Sequence, residues 1–165
     1  MSAIKKVYPC LWFDSNAEEA VNFYLSVFKN GRIHKTTHFG KAGYEIHKRP
    51  EGSVMTIDFE LEGQFFMALN GGPYFQFNEA VSIVIECETQ EELDDYWNKL
   101  SEGGDPNAQQ CGWLKDRYGL SWQVVPSIMN ELTPENPTPA SEKLMEAMLK
   151  MKKLDIAALK KAADQ

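Results

Sequence analysis

The chain repeats itself, and a duplicated unit narrows the available folds more than any composition does. Residues 16–31 read as a capped amphipathic helix: Asn16 as N-cap, Glu19 three residues on, apolar Ala20, Phe23, Tyr24 and Val27, and Gly31 as the stop. Residues 89–104 carry the same pattern, with Thr89, Glu91 and Glu92, then Leu93, Tyr96, Trp97 and Leu100, and Gly104 at the end. Each helix follows an apolar stretch of strand composition, Val7 to Phe13 before the first and Val81 to Cys87 before the second. The unit therefore begins strand then helix.

Three further strands complete the first unit: Arg32 to Phe39, Ser53 to Leu61 and Gln64 to Leu69, the last two joined by Glu62-Gly63, which suits a tight hairpin. That is a βαβββ module. In the second copy a polar loop, Gly103 to Ala108, precedes Cys111 to Lys115, the turn Asp116-Arg117-Tyr118-Gly119 and Leu120 to Val125, another hairpin. The expected class is α+β: two tandem βαβββ modules forming cupped mixed sheets, with a C-terminal helical tail. The boundaries fall at 1–76, 77–127 for the shorter, more irregular second module, and 128–165 for a proline-rich spacer and the tail. In the tail Leu144, Met145, Met148 and Met151 form an apolar stripe and Asp155 caps a last helix, Ile156 to Ala163. Such a stripe needs a cover: the chain's own sheet, a second subunit, or, for so many methionines, an adaptable ligand surface.

Composition excludes several functions. With 17 basic against 24 acidic residues the net charge is −7, a poor match to a phosphate backbone, so nucleic acid is not expected as a partner. No apolar run approaches the roughly 18 residues of a membrane span, and the first residues lack the apolar core of a signal peptide. Three cysteines, Cys10, Cys87 and Cys111, are an odd count without a close pair, which favours reduced thiols and a cytoplasmic setting over a disulfide framework.

The string Leu11-Trp12-Phe13 before residues 17–24, AEEAVNFY, with Asn70-Gly71-Gly72-Pro73, Cys111 to Gly119 and Ser121 to Pro126, resembles the PhnB-like branch of the vicinal oxygen chelate superfamily. That superfamily includes glyoxalase, bleomycin-resistance and dioxygenase proteins, and the branch often carries a demethylubiquinone methyltransferase label. The resemblance implies one metal ligand on the first and one on the last strand of each module. Mapped residue by residue, those positions fall at Pro9 (Tyr8 if the register slips), Met67, Ser82 and Gln123. Divalent ions need anionic oxygen or imidazole donors, and this set offers only a neutral hydroxyl and amide, so no metal and no cofactor is expected. His34, His38 and His47 stand elsewhere, around the second strand and the loop after it; His34 and His38, four apart on one strand face, could hold a metal, but exposed edge or loop histidines are the expected reading.

Alternation in the second module turns Val81, Ile83, Ile85 and Cys87 to the helices and Ser82, Val84 and Glu86 to the cup. The same parity in the first module sends Pro9, Leu11 and Phe13 to the cup and Cys10 and Trp12 to the helices. A cup lined by Leu11, Phe13, Phe65, Met67, Leu69, Ser82, Ser121 and Gln123 would take a small, largely apolar molecule; alternatively its own side chains or the tail fill it. Glu86, its one carboxylate, is the candidate proton-transfer group if apolar neighbours enclose it; at the mouth it would be solvated or paired with Lys115 or Arg117. Cys111 is expected to be inert unless Lys115 activates it, and Asn70 and Asn78 to satisfy backbone groups. The expectation is a homodimeric small-molecule-binding protein; the alternatives are a metal-dependent lyase, isomerase or dioxygenase, an interaction module with a filled cup and, last, a methyltransferase. Gly71-Gly72 and Gly103-Gly104 open no helix, as a methyl-donor loop of the doubly wound kind would.

Overall fold

A computed structural model describes residues 5–164, and the chain divides between Gln76 and Phe77 into two compact units. The first contains β1 (Cys10–Phe13), α1 (Ala17–Val27), β2 (Gly31–His38), the single turn α2 (Tyr44–His47), β3 (Val54–Leu61) and β4 (Gln64–Asn70). Its four-stranded sheet has the order β1-β4-β3-β2, with β1 parallel to β4 and the other pairs antiparallel. Glu62 and Gly63 both take positive φ, 45° and 84°, as the two-residue hairpin demands. The Glu62 carboxylate accepts hydrogen bonds from the Asn30 backbone N (3.0 Å) and Nδ2 (2.8 Å), tying the hairpin to the entry of β2.

Strict alternation on β3 buries Ile57, Phe59 and Leu61, and on β4 Phe66 and Ala68, beneath the apolar face of α1 formed by Ala17, Ala20, Val21, Tyr24 and Val27. Phe59 and Phe66 stack at 5.4 Å between ring centres, and truncating either to alanine costs about 3–5 kcal/mol. Asn16 makes no side-chain cap. The buried Asn70 does it from the end of β4: its Oδ1 accepts from Ala17 N at 2.9 Å while its Nδ2 donates to Val54 O at 3.0 Å.

On β1 the expected parity is reversed. Leu11 and Phe13 are buried on the helix side, whereas Cys10 is exposed and Trp12 half-buried on the other face, where they pair in register with Met67 and Leu69. The reason is one residue of chain. Asp14, Ser15 and Asn16 separate β1 from α1, but only Glu88 and Thr89 separate the corresponding elements of the second unit. Counting back from the matched helices therefore lands on opposite strand faces.

The second unit contains β5 (Ser82–Cys87), α3 (Gln90–Ser101), a 3-10 turn (Pro106–Ala108), β6 (Trp113–Lys115), β7 (Ser121–Pro126), α4 (Met129–Leu132), α5 (Pro139–Met148) and α6 (Ile156–Ala163). Its sheet has three strands, β5-β7-β6, because the segment between α3 and β6 is loop and 3-10 turn where the first unit has β2. The module is βαββ. Thr89 caps α3 as expected, accepting from Glu92 N. The two matched glycines are not helix stops: Gly31 opens β2, and at Gly104 a Cβ would lie 2.0 Å from the Lys115 carbonyl oxygen, so that approach demands glycine.

The hairpin turn 116–119 is organised by the buried Asp116. Its Oδ1 accepts from Tyr118 N (2.8 Å) and Leu120 N (3.1 Å), and its Oδ2 from the indole Nε1 of the buried Trp122 (2.8 Å). The tail is strapped to this unit. Cys111 N and Gly112 N donate to the carbonyls of Met151 and Lys152, Gln90 clasps Leu154 O and Ile156 N, and Lys153 pairs with Asp94 at 2.7 Å. Asp155 caps α6 by accepting from Ala158 N at 2.8 Å. Of the apolar stripe Leu144 is buried, Met148 and Met151 are half-buried and Met145 stays exposed, while Leu154 and Leu159 beyond it are buried. Among the described residues no helix is long and apolar enough to cross a membrane.

Candidate functional site

The face of each sheet turned away from its helix is where side chains remain available. In the second unit that face presents Ser82, Val84 and Glu86 from β5 and Gln123 and Val125 from β7, with Gln123 Nε2 donating to Ser82 Oγ at 2.9 Å. Ser121 lies in register with Ser82 but is buried, its hydroxyl without a hydrogen-bond partner among the described residues. Glu86 is exposed and accepts only a long bond, 3.3 Å, from Asn130 Nδ2. The apolar enclosure that would make it a proton-transfer group is therefore missing. Lys115 pairs instead with Glu79, and Arg117 with Glu102 at 3.8 Å.

The first unit's open face is chemically richer. Phe65, Met67 and Leu69 of β4 lie half-buried along it, with Trp12 beside Leu69 and Tyr8 edge-on to Phe65 at 5.1 Å. Trp12 is fixed by its indole N–H to Gly72 O (2.9 Å) and by the Phe75 ring, edge-on at 5.0 Å. The same face carries the polar residues of β3, Thr56, Asp58 and Glu60, which face Leu69, Met67 and Phe65 across the ladder. At the Phe65 end a groove of about 600 Å³ opens. Tyr8 and Phe65 form its aromatic part, Asp58 and Glu60 its acidic part, and Lys5, Arg32, Ile33 and His34 its rim.

Glu60 is committed within the protein. His34 Nε2 lies 3.0 Å and Arg32 Nη2 3.5 Å from its Oε2, and the His34 hydrogen bond, followed by the Arg32 charge, holds the carboxyl below the usual carboxylate range. A bulge in β2 between Ile33 and Lys35 turns His34 into this position, with its ring 5.2 Å from Phe65. His34 is thus part of the site, not a plain edge residue, whereas His47 sits in α2 against Phe39 and accepts from Arg49 N. Asp58 differs from Glu60: its Oδ1 is buried and has no hydrogen-bond partner among the described residues. Cys10, across Met67 from Asp58 on the ladder, has its thiol pushed above the ordinary 9.0 by desolvation and then by the Asp58 charge, so it is a poor nucleophile.

The strand alternation Thr56, Asp58, Glu60 is the sequence signal for these residues, since it puts them on the face where the neighbouring strand lays Phe65, Met67 and Leu69. Of the expected metal positions, Pro9 and Met67 meet through a backbone hydrogen bond and Ser82 and Gln123 through their side chains. With Tyr8 in place of Pro9 the set still supplies no carboxylate and no imidazole. It does not fit a divalent ion.

Paired β-α-β units, each with one strand pair parallel and an open sheet face, define the architecture of the vicinal oxygen chelate superfamily, to which this chain belongs. A PhnB protein of Bacillus cereus is 34% identical over 74% of this chain and 100% of its own, with a TM-score of 0.63. Protein PA1353 of Pseudomonas aeruginosa is 20% identical over 74% of this chain and 98% of its own, with a TM-score of 0.56. FosX of Listeria monocytogenes, a fosfomycin resistance protein in complex with Mn(II) and sulfate, is 16% identical over 74% and 89% of the two chains, with a TM-score of 0.45. The sequence profile of the 3-demethylubiquinone-9 3-methyltransferase family matches residues 5–125, and the chain is a member of that family, the PhnB-like branch of the superfamily. No curated protein sequence matches it.

Proposed function

We propose that the protein binds a small, largely apolar molecule on the open face of its first sheet, against Phe65, Met67 and Leu69. The observation that carries this reading is the row of half-buried apolar side chains, Phe65, Met67 and Leu69, on an open sheet face, with a groove of about 600 Å³ at its Phe65 end that Tyr8, Ile33 and charged side chains complete. Ligand sites combine those two surfaces, apolar area for affinity and a few polar groups for orientation. Ser82 and Gln123 remain candidate contacts on the second unit's open face, already hydrogen-bonded to each other. Leu11 and Phe13 support the face from behind and touch no ligand, and Glu86 and Ser121 are poorly placed to serve one.

The methyl transfer in the family's name finds no local support. Gly71 and Gly72 follow β4 and lead to Pro73, and Gly103 and Gly104 follow α3, so neither pair stands at the start of a helix where a donor loop would. The free thiols Cys10, Cys87 and Cys111 accord with a cytoplasmic setting. Homodimerisation rests on superfamily habit and on the tail stripe, whose Met145 is exposed and whose Met148 and Met151 are half-buried, and sedimentation at micromolar concentration tests it: a monomer removes the idea.

The binding reading is tested by two-dimensional NMR of the full chain titrated with a panel of small aromatic and aliphatic compounds. Saturable shifts centred on Tyr8, Phe65, Met67 and Leu69 support it. Shifts absent throughout the panel, or centred on the helix side, refute it.

A further inference from the structure

Resting on the binding site just proposed, we infer that its ligand carries an organic ammonium group, seated on Phe65 and Tyr8 and held by the carboxylate of Asp58. Asp58 Oδ1 is buried with no hydrogen-bond partner among the described residues, although cations stand near. Arg32 is spent on Glu60, and Lys35, which faces Asp58 across the β2–β3 ladder, is exposed and makes no ion pair with it. Lys5, on the groove rim, is likewise exposed and makes none. Asp58 as a whole is half-buried and lines the groove, where a ligand ammonium would meet a carboxylate with no ion pair among the described residues.

Two further observations specify the donor. The aromatic rings beside it, Phe65 with Tyr8 edge-on at 5.1 Å, offer π faces that attract a cation and not an anion. The neighbouring acid, Glu60, is paired with His34 and Arg32, so Asp58 is the groove carboxylate that a ligand cation would meet. An anionic ligand would meet Asp58 directly and find Arg32 already paired.

The test uses the full chain and three probes of one shape: benzylammonium, benzyl alcohol and benzoate, titrated by NMR. Benzylammonium is expected to bind about tenfold or more tightly than benzyl alcohol, with benzoate weakest. Asp58→Asn, which removes the charge at nearly constant volume, should bring benzylammonium down to the alcohol's affinity. Phe65→Leu, which keeps the carboxylate and removes the ring, should weaken benzylammonium several-fold. Equal binding of benzylammonium and the alcohol, or a preference that survives Asp58→Asn or is indifferent to Phe65→Leu, overturns the ammonium assignment and leaves the apolar site standing. If none of the three binds while members of the wider panel do, the assignment falls alone. If the wider panel fails too, the site falls with it.

Discussion

Asp116 is the residue whose removal should cost the second unit most for the fewest atoms. Its two carboxylate oxygens accept three hydrogen bonds, at 2.8, 3.1 and 2.8 Å, and two of the donors, Leu120 N and Trp122 Nε1, are buried. Asp116→Ala leaves both without that acceptor in a place water does not reach. Each stranded donor costs about 1–3 kcal/mol, and the half-buried Tyr118 N adds less, so the loss should be about 3–5 kcal/mol. Against a domain stability on the order of 5–15 kcal/mol, that is a large fraction. Asp116→Asn keeps one acceptor oxygen and should cost less, about 2 kcal/mol. Trp122→Phe removes the indole donor, so in the Asp116→Ala background it should cost less than alone, with a coupling of about 1–2 kcal/mol. Urea unfolding followed by far-ultraviolet circular dichroism measures all four proteins. A loss below about 1 kcal/mol for Asp116→Ala, or strict additivity of the pair, would show that the carboxylate does not hold the turn.

Gly112→Ala should destabilise the protein by more than about 1 kcal/mol and expose the tail to proteolysis, because φ is 82° there and a Cβ would sit 3.0 Å from both Leu154 Cδ1 and the Val124 carbonyl oxygen; a wild-type melting curve contradicts this. Acidification should loosen the tail strap late. Lys153, then Gln90, hold the Asp94 carboxyl below the ordinary 3.8, so this pair's contribution is complete above that value and disappears as pH falls through the lower folded-state pKa. Amide exchange at Leu154 and Ile156 reports it, and Lys153→Met should abolish the dependence. Burial, then the Glu92 charge, push the Cys87 thiol up to about 12, so a disulfide reagent at pH 8 should leave Cys87 unmodified until the protein unfolds, as peptide mass mapping can establish.

Much of the fold was legible because its signals are local. The Glu62-Gly63 turn, the Thr89 and Asp155 caps and the alternation of β5 over Ser82–Cys87 each depend on residues within a few positions and stand as read, except that Val81, expected to face the helices, lies outside the strand and is exposed. What escaped depends on distance in sequence. The cap of α1 comes from Asn70, more than fifty positions away, and although the polar loop of the second module is readable, the close approach of Gly104 to the Lys115 carbonyl is not. The candidate site is legible in part: Phe65, Met67 and Leu69 fall on the open face by their period, whereas nothing local singles out Asp58 and Glu60 or turns His34 from an edge residue into a groove residue, because a bulge and a groove leave no local mark. Leu11 and Phe13 were misplaced by a single residue in a connecting segment.

That single residue has a wider consequence. Two copies of an ancestral unit keep their helices in step while their leading strands run out of step, so positions equal in rank look in opposite directions. When one copy of such a duplicated protein is used to annotate the other through its helices, a group that meets solvent acquires as its counterpart a side chain sealed in hydrocarbon. Ladder partners, here Cys10 with Met67 and Val84 with Gln123, are the safer guide to equivalence.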